Sequence, residues 1–185
     1  MREARDRGPF ATRQIQLHFE HMFVLGVDPG ITRTGYGIIE SRGGTERAVV
    51  AGVIRTDPQR SAAERLAEIR FDIESGISEH RIDAAAIEQV FVNRNRGTAV
   101  AVARASGVIM AVLAEHGISV AEYTPSQVKM AVTGSGSADK QQLAAVVAMR
   151  LALNKVEGPA DVADALGVAL CHAQHQFIAT VEAMP

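Results

Sequence analysis

The order of segments in this sequence predicts an α/β domain built on one mixed five-stranded sheet with helices on its faces. Three observations carry that reading. Met22-Phe23-Val24-Leu25-Gly26-Val27 is a nearly continuous apolar run, which marks a strand covered by helices on both sides. Two further strand-like segments follow it directly and make an antiparallel meander. An amphipathic helix then leads into Asp83-Ala84-Ala85-Ala86-Ile87-Glu88, a second short apolar strand. Arrival through a crossover helix implies that this strand lies parallel to the first. A fifth strand, reached through another helix, extends the parallel half.

Taken in order, Asp28 ends the first strand and Pro29-Gly30 turns the chain there. A carboxylate at the end of a buried strand is costly unless it is paired or binds a metal. A turn-capping aspartate is the plainer alternative. Gly35-Tyr36-Gly37-Ile38-Ile39-Glu40 reads as the second strand, with glycines that allow close backbone approach. Ser41-Arg42-Gly43-Gly44 is a hairpin turn, and the third strand falls near residues 46–54. Ser61 and Glu64 form the capping-box pattern of a helix running to about Glu79. Leu66, Ile69, Ile73 and Ile77 are its buried stripe.

After Glu88 comes a polar, basic loop over residues 91–97. A long Ala/Val helix covers about residues 98–116, with Gly117 as its stop, and residues 118–122 form the fifth strand. Thr124-Pro125 places a capping residue before a proline at the first helical position. Gly134-Ser135-Gly136-Ser137 is a flexible loop, residues 138–151 a further helix, and Glu157-Gly158-Pro159 a break. The last helix spans about residues 160–181. Residues 22–181 therefore read as a single domain. Residues 1–21 read as a polar, disordered extension ahead of it, and Met22 is a possible biological start.

Composition narrows the class. The 185 residues suffice for one domain with a sizeable core. With 19 Lys+Arg against 21 Asp+Glu, no global basic field announces nucleic acid, so any DNA surface must come from segregated charge. Segregation is visible: Arg94, Arg96 and Arg104 face only Glu115 between residues 89 and 121, whereas the stretch after Leu151 is acidic. The lone Cys171 permits no disulfide framework, which suits a cytoplasmic protein, and its apolar neighbours make it a core thiol. No apolar run approaches the ~18 residues of a membrane span, and the N-terminus lacks an apolar signal core.

Four carboxylates stand out. Asp28 and Glu88 end neighbouring parallel strands, and Asp161 and Asp164, three apart near the start of the last helix, share one face. Individually each has an ordinary explanation, as a cap, a first-turn acid or a strand-end salt bridge. Jointly they repel unless cations neutralise them, and hard oxygen ligands in that number select Mg²⁺ or Mn²⁺. Two such ions would make a two-metal phosphoryl-transfer site.

The motifs carry a resemblance. Gly26-Val27-Asp28-Pro29-Gly30 with Gly35-Tyr36-Gly37 resembles the opening of the bacterial Holliday-junction resolvase family RuvC. So do Ala86-Ile87-Glu88-Gln89-Val90-Phe91, Gln127-Val128-Lys129, the run from Gly134 to Lys140, and Pro159-Ala160-Asp161-Val162-Ala163-Asp164-Ala165-Leu166. They come in family order and cover about residues 22–173. The resemblance implies a ribonuclease-H-like fold, a homodimer, and Mg²⁺-dependent cutting of four-way DNA junctions. Paired symmetric nicks would leave 5′-phosphate and 3′-hydroxyl ends. It places the catalytic and metal-binding acids at Asp28, Glu88, Asp161 and Asp164, sets Lys129 and Lys140 near the scissile phosphate or DNA backbone, and implies a branch-migration motor as partner.

Phe91, beside Arg94, Asn95 and Arg96, is either a loop aromatic tucked into the core or a wedge at the unpaired junction centre, with Arg94 and Asn95 as DNA contacts. The family likeness favours the wedge. The Ala/Val-rich helix around residues 99–112 is the candidate dimer face. His172 and His175 could form a metal pair, but a plain helix face fits better because no third ligand is near in sequence. Two other functions compete. An actin-like phosphotransferase shares the core fold, but 185 residues are too few for its two-domain cleft. A junction-binding scaffold without activity needs a missing carboxylate, and none is missing.

Overall fold

β1 (Met22–Asp28) runs through the middle of the sheet, where its apolar sequence requires cover on both faces: Val24, Leu25 and Val27 are buried. The computed structural model describes residues 21–89 and 96–182. The proposed extension up to residue 20, and Phe91, Arg94 and Asn95, lie outside the described residues. β2 (Arg33–Arg42) and β3 (Thr45–Arg55) flank β1 on one side as the expected antiparallel meander. Gly43 and Gly44 make the hairpin between them with φ of 60° and 80°, the double left-handed turn that matches strand twist.

β4 (Ala84–Glu88) and β5 (Ser119–Tyr123) pair in parallel on the other side, giving the order β3-β2-β1-β4-β5. Val27 pairs with Ile87, so Asp28 and Glu88 follow one residue later at the same end of adjacent strands. Glu88 in turn pairs with Tyr123.

Helices cover both faces. α1 (Ala62–Glu79) and α2 (Arg96–Glu115) lie on one side, closing a core of Leu25, Val27, Ile38, Ile69, Ile73, Ile109 and Leu113. The Ser61–Glu64 capping box forms at the start of α1. On the other side α5 (Ala160–Glu182) crosses the sheet, backed by α3 (Pro125–Thr133) and α4 (Lys140–Arg150). Val24, Ile39, Val128, Leu143, Leu166 and Leu170 form that second core. Capping boxes also start α3, from Thr124 to Gln127, and α4, from Asp139 to Gln142.

α5 sits on glycine. A Cβ built on Gly35 would lie 2.1 Å from the Asp161 carbonyl oxygen, and one on Gly26 would lie 2.1 Å from that of Ala165. No side chain fits between these strands and the helix, so the glycines set how deeply α5 descends.

One expectation needs correction. The segment Gly97–Glu115 does contain a helix long and apolar enough, by length and composition, to cross a membrane. Scanning for uninterrupted apolar residues misses it because Arg104, Ser106 and Gly107 break the run without lowering its mean hydropathy much. Only a third of that window is buried in the monomer, and exposed Val100 is among the remainder.

Candidate active site

The strand ends and α5 bring the four predicted acids together. Asp28 and Glu88 are neighbours through the β1–β4 register. Asp161 occupies the first turn of α5, and Asp164 follows one turn on, on the same face. The close seating of that helix on Gly35 brings Asp161 to the sheet. All four carboxylates are half-buried.

Their electrostatics register the crowding. Burial is the largest influence on Asp28 and, with the charges of Glu88, Asp164 and Asp161, pushes its carboxyl up to about 7; Lys140 opposes them. Glu88 is also pushed up to about 7, first by burial and then by Asp164, with Lys140 and Lys129 pulling the other way. Lys140, the first residue of α4, donates from Nζ to Asp164 Oδ2 at 2.9 Å. That hydrogen bond is the main reason its own pKa rises. The predicted Lys129 and Lys140 therefore both reach the acid cluster.

The donor set suits a hard divalent cation: oxygen ligands only, mutually repelling, and relieved by positive charge. Among the described residues, no three His, Cys, Asp or Glu side chains already stand in metal-binding geometry. Protein cations hold two of the acids instead, Lys140 on Asp164 and Arg33 Nε on Asp161 Oδ2 at 3.5 Å. A divalent ion entering the cluster competes with these contacts for the same oxygens.

Arg33 was not singled out from the sequence, although the signal is there. It lies two residues before Gly35 on one strand, so both face α5. The connection before it is firmly held. Thr34 Oγ1 donates to the Gly30 carbonyl at 2.7 Å, and Arg65 spans Thr56 Oγ1 and Thr32 Oγ1 at 2.9 and 2.6 Å. His172 and His175 hold structural positions. His172 is buried, and its Nδ1 shares a 2.9 Å hydrogen bond with the Tyr123 hydroxyl. His175 Nδ1 lies 2.8 Å from the Cys171 carbonyl. Cys171 is a core thiol, pushed up to about 12 by burial.

Comparison with known proteins points the same way. The family described as Crossover junction endodeoxyribonuclease RuvC matches residues 24–172. A crossover junction endodeoxyribonuclease RuvC from Syntrophomonas wolfei is 46% identical over 151 residues, which is 82% of this chain and 88% of that protein. The Heliobacterium modesticaldum counterpart is 47% identical over 150 residues, 81% of this chain and 93% of that one. Among solved structures, Thermus thermophilus RuvC in complex with a Holliday junction substrate superimposes with a TM-score of 0.82 at 36% identity, covering 86% of this chain and 98% of that one. The yeast mitochondrial Holliday junction resolvase superimposes with a TM-score of 0.65 at 12% identity, covering 86% and 80%, and so shares the fold.

Proposed function

This chain belongs to the RuvC family of crossover junction endodeoxyribonucleases, and from that premise we propose that it resolves four-way DNA junctions by paired symmetric nicks in homologous recombination and repair. The observation that carries the reading is the convergence of Asp28, Glu88, Asp161 and Asp164, from two strand ends and one helix, with Lys129 and Lys140 at their side. A rival phosphotransferase would need a second domain to close a nucleotide cleft, and the described fold is one sheet with one set of covering helices.

The four acids would hold divalent ions, Mg²⁺ with Mn²⁺ as a substitute and two per site. Such ions supply a Lewis acid and a water of lowered pKa for in-line attack on phosphorus. The chain's own groups do the rest. Without a cation, burial and mutual repulsion hold the Asp28 and Glu88 carboxyls near 7, so an ion held there would displace their protons. Lys140 and Lys129 place positive charge where a phosphate must approach four carboxylates, which offsets a repulsion that would otherwise exclude DNA. Cleavage then leaves a 5′-phosphate and a 3′-hydroxyl, ends that can be religated.

Two strands of like polarity require two sites, hence a homodimer. The largely unburied apolar α2 supports that helix as the face between protomers. Phe91 serves as the wedge at the junction centre, with Arg94 and Asn95 on the DNA backbone. A branch-migration motor delivers the junction, and the protein works in the cytoplasm. Residues 22–181 form the nuclease domain, and His21, placed by the sequence in the extension, instead rests on Glu40 at 2.6 Å.

The test is cleavage of a synthetic mobile junction with Mg²⁺ and with EDTA, beside an ATP-turnover assay. Paired, religatable nicks that appear only with Mg²⁺ support the reading. Binding without cutting in Mg²⁺, or ATP hydrolysis in place of cutting, refutes it.

A further inference from the structure

A groove of about 250 Å³ opens beside the acids, between the β1–β2 connection and the first turns of α2. Asp28, Gly30, Thr32, Thr98 and Asp161 line it, and Arg33 is its one basic residue. The Arg33 side chain is 52% exposed. Among the described residues its guanidinium makes one polar contact, through Nε to Asp161, and no hydrogen bond. Directly across the β2–β3 register lies Arg55. Residues opposed in this way project from one face a few ångströms apart. Arg55 is exposed and has no ion pair or side-chain hydrogen bond among the described residues.

Arg47, Arg60, Arg70, Arg81 and Arg150 each rest on a carboxylate. Arg33, 3.5 Å from Asp161, and Arg55, with no carboxylate partner among the described residues, oppose one another, a like-charge pairing that costs stability. The backbone beneath them is fixed by Thr34, Thr56 and Arg65, so the pair is held in place before any partner arrives. Two planar guanidinium forks on a rigid strand edge, beside a phosphodiester-cutting centre, match a phosphate group.

We propose that Arg33 and Arg55 form a phosphate clamp, holding the backbone of the cut DNA strand one step away from the phosphodiester that is hydrolysed at the acids. The inference rests on the junction-cleaving reading above and adds to it a subsite on the β2–β3 side of the cleft. There the clamp fixes the strand's direction through the groove. Lys129 and Lys140 approach the acids from α3 and α4, so strand and cleft are gripped from both flanks.

The experiment measures binding of the full-length protein to a synthetic four-way junction across a salt titration with divalent metal withheld. It compares wild type, Arg33→Gln, Arg55→Gln, the double glutamine variant and the double lysine variant. Melting temperature and Mg²⁺-dependent cleavage are read on the same preparations. Each lost phosphate contact should lower the slope of log Kobs against log salt by about 0.9 on duplex arms. Arg55→Gln should not lower the melting temperature, since it removes no ion pair or side-chain hydrogen bond among the described residues and relieves a like-charge pairing. The double lysine variant should recover most of the slope. A double glutamine variant that keeps the wild-type slope while wild type cuts junctions overturns the clamp alone. If wild type itself fails to cut junctions in Mg²⁺, the functional reading falls and the clamp falls with it.

Discussion

Gly35→Ala isolates the placement of α5 from the chemistry of its acids. The new Cβ would stand 2.1 Å from the Asp161 carbonyl oxygen and 2.7 Å from the carbonyl carbon, both backbone atoms that no rotamer change can move. Real Cβ contacts essentially never fall below 3.0 Å, so the first turn of α5 must retreat by about 0.9 Å, the difference between 3.0 and 2.1 Å. Gly26 and Gly37 seat the same helix further along and hold it against Ala165 and Leu166. The retreat is therefore a tilt that lifts Asp161 and Asp164 while the rest of α5 stays down. Overpacking of this kind costs about 1–3 kcal/mol, which for a domain of this size lowers the melting temperature by about 3–9 °C. A displacement of ~1 Å in a catalytic group costs about 10²-fold in rate. Single-turnover cleavage of a junction in Mg²⁺ should thus fall about 100-fold, while junction binding measured without metal changes little. Gly76→Ala is the control: nothing lies within 4 Å of its Cβ position, and alanine in a helix gains about 0.5–1 kcal/mol. A folded Gly35→Ala protein that cuts at the wild-type rate would refute the claim that glycine seats the acids.

Asp28→Asn should abolish cleavage while junction binding survives or tightens, because one metal-binding charge is lost and the basic contacts remain; gel shift and cleavage on one preparation decide it. In metal-free protein, Asp28 and Glu88 hold protons up to about pH 7 in the folded state but only to about 4 once unfolded. Stability should therefore fall by several kcal/mol as pH rises from about 4 to 7, and then level off. Denaturant melts in EDTA across that range check this, and Asp28→Asn should flatten the curve. For the same reason metal binding releases protons, so cleavage should weaken as pH drops below about 7. Phe91→Ala should leave the melting temperature nearly unchanged and slow cutting of a matched junction more than of one pre-opened by mismatches; a loss of the 3–5 kcal/mol typical of a core phenylalanine would make it a packing residue. Removing residues 1–20, which keeps the His21–Glu40 contact, should alter neither melting temperature nor cutting rate, as scanning calorimetry and a cleavage time course would show.

Much of this architecture is legible in single residues. The apolar run ending at Asp28 and the short run ending at Glu88 announce two buried strands. The crossover rule makes them parallel neighbours, so the acids meet. Asp161 and Asp164 declare their shared helix face by spacing alone. Other features depend on register, which has no local signature. That Arg33 faces Arg55 follows from how β2 and β3 align, and a slip of one residue would send both to the opposite face. The fork from Arg65 to Thr32 and Thr56 spans residues far apart in sequence that carry no motif. The buried His172–Tyr123 pair was equally silent, because a helical histidine looks the same on paper whether it faces core or solvent.

The last described helix supplies half of the acids and a large share of one side of the core. During synthesis the ribosome therefore releases Asp161 and Asp164 only after the sheet, α1 and α2 have been made. Until α5 emerges, Val24 and Ile39 have no lid, and Asp28 and Glu88 lack the other two acids. A chain that stops before α5 consequently lacks two of the four acids and leaves one apolar face of the sheet uncovered.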